Sequence, residues 1–254
     1  MVITGNTILI TGGGSGIGRA LAEALHDEGN TVIIAGRRRD ALDAVAAGRP
    51  GMATEVLDIA DAAAIPAFAE ALTARFPALN VVVNNAGIMQ VEDLAAETID
   101  LSGAEATVAT NLLGPIRLIA ALLPHLRAQR SATIVTVSSG LAFVPLAATP
   151  TYSATKAAIH SYSQSLRHQL RGTTVEVIEV APPAVATDLM PGHAENPNSM
   201  PLAEYIAETV ANLKAEPAGP ENLVKRVHPL RFAERDGTYA AVFGGLNAPR
   251  PSGS

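Results

Sequence analysis

The chain predicts an α/β fold: a doubly wound parallel sheet of about seven strands with helices on both faces, in a single domain over residues 1–254. Three observations carry that expectation. Short β-branched apolar runs alternate with helix-period stretches along most of the chain, a pattern that demands a parallel sheet covered on both sides. The first apolar run passes at once into a glycine-rich loop and then a helix. The length of 254 residues, with 48% hydrophobic and 17% charged residues, suits one large core rather than a disordered chain.

Residues 7–11 (Thr-Ile-Leu-Ile-Thr) read as a buried strand, and Gly12, Gly13, Gly14, Ser15, Gly16, Ile17 and Gly18 form the loop after it. A helix opens at Arg19. Residues 31–35 give the second strand, 40–47 a helix, 52–57 a third strand closed by Asp58, 61–75 a helix, and 80–84 a fourth strand leading into Asn85-Ala86-Gly87. Helical periodicity returns over 98–111 and 115–127, where Pro124 should bend or end the second stretch. Residues 133–139 form the fifth strand, a helix carrying Tyr152 runs to about Arg171, and residues 175–180 form the sixth strand, stopped by Pro182-Pro183. A short seventh strand is expected over 221–227 and a final amphipathic helix over 229–247. Between them, residues 188–220 read as an insertion that could lie over a substrate as a lid, or as a plain surface helix: 190–198 are rich in turn formers, and Leu202, Ile206, Val210 and Leu213 recur at helical spacing.

Composition removes several classes of function. A net charge of −6 leaves no electrostatic footprint for nucleic acid. The absence of cysteine excludes disulfides and thiolate chemistry, and the six histidines lack H-E-x-x-H spacing, so no metal is expected. No stretch reaches the ~18 uninterrupted apolar residues of a membrane span. The opening Met-Val-Ile-Thr-Gly-Asn lacks a signal layout, which makes the expected location cytoplasmic with no membrane partner.

Tyr152 and Lys156 are four residues apart, so on a helix they share one face. A phenol titrates near ~10 in water. An ammonium one turn away favours the phenolate, which suits proton exchange with an alcohol or carbonyl oxygen, although most such pairs are solvated helix faces. The glycine loop between strand and helix is where a dinucleotide pyrophosphate would sit, though its spacing is G-x-x-x-G-x-G rather than G-x-G-x-x-G, and a flexible turn is the plainer alternative. At the end of the second strand an NAD site would carry an acid for the ribose hydroxyl. Here Gly36 takes that place and Arg37, Arg38 and Arg39 follow. Guanidinium forks suit a 2′-phosphate, with Arg37 first and Arg38 next; a solvated loop is the alternative. The apolar run Leu141-Ala142-Phe143-Val144-Pro145-Leu146-Ala147 reads equally as a pocket wall or as core.

Taken together these residues resemble the classical short-chain dehydrogenase/reductase family, over roughly residues 5–190. Four motifs stand in the family's order: Thr11-Gly12-(x)3-Gly16-x-Gly18, Asn84-Asn85-Ala86-Gly87, Ser138-Ser139, and Tyr152-Ser153-Ala154-Thr155-Lys156. The runs Ser138-Ser139-Gly140-Leu141-Ala142-Phe143-Val144-Pro145 and Ala181-Pro182-Pro183-Ala184-Val185 further resemble a bacterial branch found near cell-wall D-alanylation genes. The resemblance implies a Rossmann-like fold. It makes Tyr152 the general acid/base, Lys156 its modulator and a ligand of nicotinamide-ribose hydroxyls, and Ser139 the holder of the substrate oxygen. Asn111 would order a water linking Lys156 to solvent; a helix-ending role is the plainer alternative. Asp58 would face adenine with the Ile59 amide beside it, or merely cap a helix. Asn85, Ala86 and Gly87 would pass close to the cofactor while Asn84 braces the sheet, and Pro182, Val185 and Thr187 would flank the nicotinamide. Pro183 stands where the family usually has glycine.

The expected function is an NADPH-dependent carbonyl reductase, reversible as an alcohol dehydrogenase. NADP(H) is preferred, NAD(H) is possible, and the substrate is a small hydrophobic ketone or secondary alcohol. Leu141, Phe143, Leu146 and Met190, with Ser139, are the expected substrate contacts, and His193 a further one from the lid. Epimerisation or double-bond reduction on the same fold, and a non-catalytic NADP(H)-binding redox sensor, are the alternatives. A small-residue face at Ala154, Ala157, Ala158 and Ser161, and the family's habit of pairing through this helix, imply a homodimer or homotetramer. His160 and His168 on the same helix are expected at the surface or an interface.

Overall fold

The structure is a computed structural model that describes residues 2–190, 192, 194–215 and 219–248. Its first half builds β1 (Thr7–Thr11), α1 (Gly16–Asp27), β2 (Thr31–Gly36), α2 (Arg39–Ala46), β3 (Ala53–Val56), α3 (Ala64–Arg75) and β4 (Leu79–Asn84). There follow α4 (Ser102–Val108), α5 (Gly114–Ala128), β5 (Ala132–Val137), α6 (Pro150–Gln169) and β6 (Val175–Val180). The last elements are α7 (Leu202–Lys214), β7 (Glu221–Asn222), α8 (His228–Arg231) and α9 (Tyr239–Leu246). The strands form one parallel sheet in the order β3-β2-β1-β4-β5-β6-β7. The chain runs outward from β1 to β3, then returns to β1's other side at β4. That reversal opens a crevice beyond the carboxyl ends of β1 and β4.

Alternation along each strand divides the core into two layers. Ile8, Ile10, Val32, Ile34, Val81 and Val83 face one side, where Leu21 and Leu25 of α1 and Tyr205, Ile206 and Val210 of α7 cover them. Leu9, Ile33, Val82 and Ile134 face the other, under Leu72 of α3, Leu118, Ile119 and Leu122 of α5, and Leu166 of α6. Burial on both faces is why these strands read as continuous apolar runs. Since α7 packs on α1 and buries Tyr205 and Leu213, the helical half of the 188–220 segment belongs to this core.

Several boundaries differ from those expected. The helices over 98–111 and 115–127 are one continuous rod from Ser102 to Ala128, joined through a π-helical turn at Ala109–Leu113. Pro124 does not end it: the carbonyl that loses its partner belongs to Ala120, which lies on the exposed face. By length and composition this 27-residue rod could cross a membrane, yet Leu118, Ile119, Leu122 and Leu126 are spent on the sheet. Strand β7 stops at Asn222 because Asn212 takes the Leu223 carbonyl at 3.1 Å, and a 3₁₀ turn (Lys225–Val227) follows. The expected final helix is two short ones. Gly237, at φ +69°, breaks it, and the Thr238 amide turns back to the Ala233 carbonyl at 2.9 Å.

Candidate active site

A cavity of about 850 Å³ fills the crevice at the carboxyl ends of β1, β4, β5 and β6. One end is the glycine loop. Gly12 turns at φ +69° so that its amide reaches the Ala35 carbonyl at 2.7 Å, and a Cβ on Gly18 would lie 2.3 Å from the Gly12 carbonyl oxygen. Only glycine permits that approach of loop to helix, and it leaves Gly12, Gly14, Ser15, Gly16, Ile17 and Gly18 along the cavity at the N-terminus of α1. Thr11 fixes the neighbouring wall: its hydroxyl accepts from the Asn85 and Ala86 amides, both at 3.1 Å, and the Asn85 side-chain amide donates to the Thr11 carbonyl at 3.0 Å. Bracing therefore falls to Asn85, not to Asn84, whose buried amide has no hydrogen-bond partner among the described residues.

At the outer end Arg37 and Arg38 line the cavity, exposed and with no ion pair or side-chain hydrogen bond among the described residues. Arg39 is turned away onto Thr54 at 3.0 Å. Asp58 and Ile59 also line it. The capping role open to Asp58 belongs to Asp61, whose carboxylate accepts from Ala63 and Ala64 at 2.9 and 3.2 Å; Asp58 itself closes a turn onto Ala60.

Inward lie Ser139, Tyr152 and Lys156, each at least nine-tenths buried. Ser139 opens a 3₁₀ turn at the end of β5, its hydroxyl accepting from the Leu141 amide at 3.1 Å. Tyr152 is in the first turn of α6, which Pro150 starts and Glu92 caps from outside, accepting from the Thr151 amide and hydroxyl at 3.0 and 2.7 Å. Lys156 donates to the Val137 carbonyl at 2.8 Å, with its nitrogen 5.5 Å from the Tyr152 ring centre. Burial pushes the Tyr152 phenol up to about 12, against a smaller downward pull from the Ser139 hydroxyl, and pushes Lys156 down to about 8. The phenol is thus held as an acid, and the expected lowering by the ammonium does not govern it here.

Asn111 is not on the cavity wall. It sits buried in the π-helical turn, accepting from the Ile88 amide and donating to the Ile88 carbonyl, both at 2.8 Å. Ala86, Gly87, Pro182, Val185 and Thr187 line the cavity, as do Leu141 and Leu146. Phe143 does not; its ring meets His160 edge-on at 4.8 Å, with the Arg231 guanidinium 4.6 Å from its centre. Met190 is also off the wall, where its neighbour Leu189 stands instead, and His193 lies outside the described residues. Sequence reasoning missed Met89, Gln90, Leu230 and Leu246, which close the inner end from distant parts of the chain.

His160, expected at the surface or an interface, is half-buried beneath the site against Glu179 at 2.8 Å, while His168 is exposed. Ligand atoms of His160, Glu179 and Glu221 lie within 4.8 Å of one another. Arg231 already holds both Glu221 oxygens at 2.8 and 2.9 Å, and Ser138 donates to Glu179, so both carboxylates are already partnered from within the chain.

The model of the short chain dehydrogenase family matches residues 6–198. Among curated proteins, the uncharacterized oxidoreductase DltE of Bacillus subtilis (strain 168) is 48% identical over 252 residues, covering 97% of this chain and 98% of that protein. The uncharacterized oxidoreductase MW2403 of Staphylococcus aureus (strain MW2) is 29% identical, covering 85% of this chain and 94% of that protein. A short-chain dehydrogenase from Streptomyces avermitilis superposes with a TM-score of 0.81 at 30% identity, covering 93% of this chain and 94% of that one. Another, from Burkholderia cenocepacia J2315 in complex with NADP, gives 0.81 at 25% identity, covering 98% of this chain and all of that one. With the glycine loop, the buried serine, tyrosine and lysine, and these likenesses in agreement, the chain belongs to the short chain dehydrogenase family.

Proposed function

We propose that this protein is an NADPH-dependent carbonyl reductase, working in reverse as an alcohol dehydrogenase, on small apolar ketones or secondary alcohols. The observation that carries the reading is the convergence of Ser139, Tyr152 and Lys156, all buried, on the cavity that begins at the glycine loop. The residues fit a nicotinamide dinucleotide phosphate. Residues 12–18 offer backbone at a helix N-terminus for a pyrophosphate, and unpaired Arg37 and Arg38 offer forked donors for a 2′-phosphate. Solved relatives bound to NADP or NADPH support the same choice. When bound, the reduced nicotinamide supplies the hydride.

The chain supplies the proton and the field. Ser139 and Tyr152 direct two hydroxyls at one substrate oxygen and stabilise the charge that develops there. The phenol, kept protonated by burial, gives that oxygen its proton, and the Lys156 ammonium one turn away stabilises the phenolate left behind. Leu141, Leu146, Leu189, Leu230 and Leu246 keep the inner chamber apolar and exclude water. Asp188, Leu189, Asn196 and Asn198 border it, as the cavity-facing part of the lid expected within residues 188–220. The exposed small-residue face of α6 (Ala154, Ala157, Ser161) is the surface through which two copies pair, in the cytoplasm and without a nucleic-acid or membrane partner.

The test is NADPH absorbance against a panel of aliphatic and aromatic ketones, with Tyr152→Phe as the control. Turnover should fall at least ~100-fold in the variant while NADPH still binds. Undiminished turnover would sink the assignment of Tyr152. Binding without oxidation across the panel would make the protein a sensor of the cofactor instead.

A further inference from the structure

Glu179 in β6 is the only buried carboxylate among the described residues, with 0% exposure. A carboxylate taken out of water is costly unless it is well paired, so its presence at a fully buried strand position, where the strand's other glutamate (Glu176) is exposed, calls for a physical reason. Its partners supply one. The Ser138 hydroxyl donates to Oε1 at 2.5 Å, and His160 Nδ1 lies 3.0 and 2.8 Å from the two oxygens. Ser138 immediately precedes Ser139 at the end of β5. His160 sits two turns beyond Tyr152 on α6.

We propose that Glu179 is a positioning residue: one buried carboxylate ties the end of β5 to α6 and so fixes the Ser139 hydroxyl relative to the Tyr152 hydroxyl. The proposal rests on the roles given to Ser139 and Tyr152 above. The surroundings favour rigidity. The His160 ring is packed edge-on by Phe143, Arg231 lies over Phe143, and Arg231 is itself held by both oxygens of Glu221. Hydroxyls converging on one oxygen gain catalytic power only when their separation is held to fractions of an ångström.

Two readouts test this. In the free protein the Leu141 amide donates to Ser139 Oγ, so its deuterium exchange reports how firmly Ser139 is held. Glu179→Leu should speed that exchange about ten-fold. Glu179→Gln should restore it, because its carbonyl accepts from His160 and its amide donates to Ser138. With a ketone substrate, Glu179→Leu and Ser138→Ala should each lower kcat about ten-fold at unchanged KM for NADPH. Ser138→Ala should cost nothing further in a Ser139→Ala background, since it acts through that residue. Should Glu179→Leu not fold, Ser138→Ala carries both readouts. Unchanged Leu141 exchange in the folded variants, or additive losses in the double variant, overturns the proposal. If no ketone of the panel leads the parent to oxidise NADPH, the functional reading fails, and the exchange arm still decides the positioning role.

Discussion

At Tyr152 and Lys156, the loss of water outweighs the field of one group on the other. Their helical spacing is visible in the sequence, but the sign of the outcome is not, because it depends on how completely the cavity wall excludes solvent. Two consequences follow from Lys156 at about 8 and Tyr152 at about 12. In the reducing direction, kcat/KM should fall as pH rises through about 8, where Lys156 loses the charge that stabilises the departing phenolate; a pH–rate profile flat to pH 10 would contradict this. Folding should show the opposite sign over the same window. Lys156 binds its proton more weakly folded than unfolded, so stability rises with pH from about 8 toward 10.5. Above pH 10 the Tyr152 phenol ionises first in the unfolded chain, and stability declines. Urea midpoints across that range should show the rise for the parent and not for Lys156→Met. Arg37 and Arg38 are simpler, because both are exposed at the outer end of the cavity with no ion pair among the described residues. Replacing both by alanine should weaken NADPH about ten-fold more than NADH, by fluorescence titration. Equal losses would remove the phosphate role.

Elements whose cause is local were legible, and those whose cause is distant were not. The buried strands announced themselves because both faces are covered, and β1, the loop and α1 because glycine spacing is a steric demand. Gly18→Ala tests that demand: the added carbon would meet the Gly12 carbonyl, which is backbone and has nowhere to go. The expected cost is about 1–3 kcal/mol of stability, read from the urea midpoint, with loss of cofactor binding as the loop shifts. A variant as stable as the parent would show that the loop has slack. The rod through Ala109–Leu113 was misjudged at Gly114 and Pro115, residues that usually break helices. Gly114 is there for another reason: a side chain on it would strike the Ile59 carbonyl at 2.6 Å, so the helix needs glycine to pass that loop. Likewise β7 ends where the Asn212 side chain captures a carbonyl, a contact that no local pattern announces.

Across the whole molecule, the cofactor end of the cavity is written in contiguous motifs, whereas its inner end is assembled from residues a hundred or more positions apart. Leu146 and Leu246 line the same chamber, and Asn247 links the segments that carry them. Its Oδ1 accepts from the Ala147 amide at 2.6 Å, and its Nδ2 donates to the Pro145 carbonyl at 3.1 Å and to Phe243 at 2.9 Å. Helix α9 has little else to hold it, since none of its residues is buried. Asn247→Ala removes both bonds to the 145–147 loop, each worth about 1 kcal/mol, and so frees the wall formed by Gly245 and Leu246 to move outward. A looser wall costs small ketones their contacts and admits larger ones. The ratio of kcat/KM for a bulky aryl ketone to that for a short aliphatic one should therefore rise about ten-fold, with NADPH affinity unchanged because the far end of the cavity is untouched. An unchanged ratio would mean that α9 is fixed by something other than Asn247. A fall in both kcat/KM values together would mean that the loop at Leu146, rather than the helix, is what the asparagine steadies.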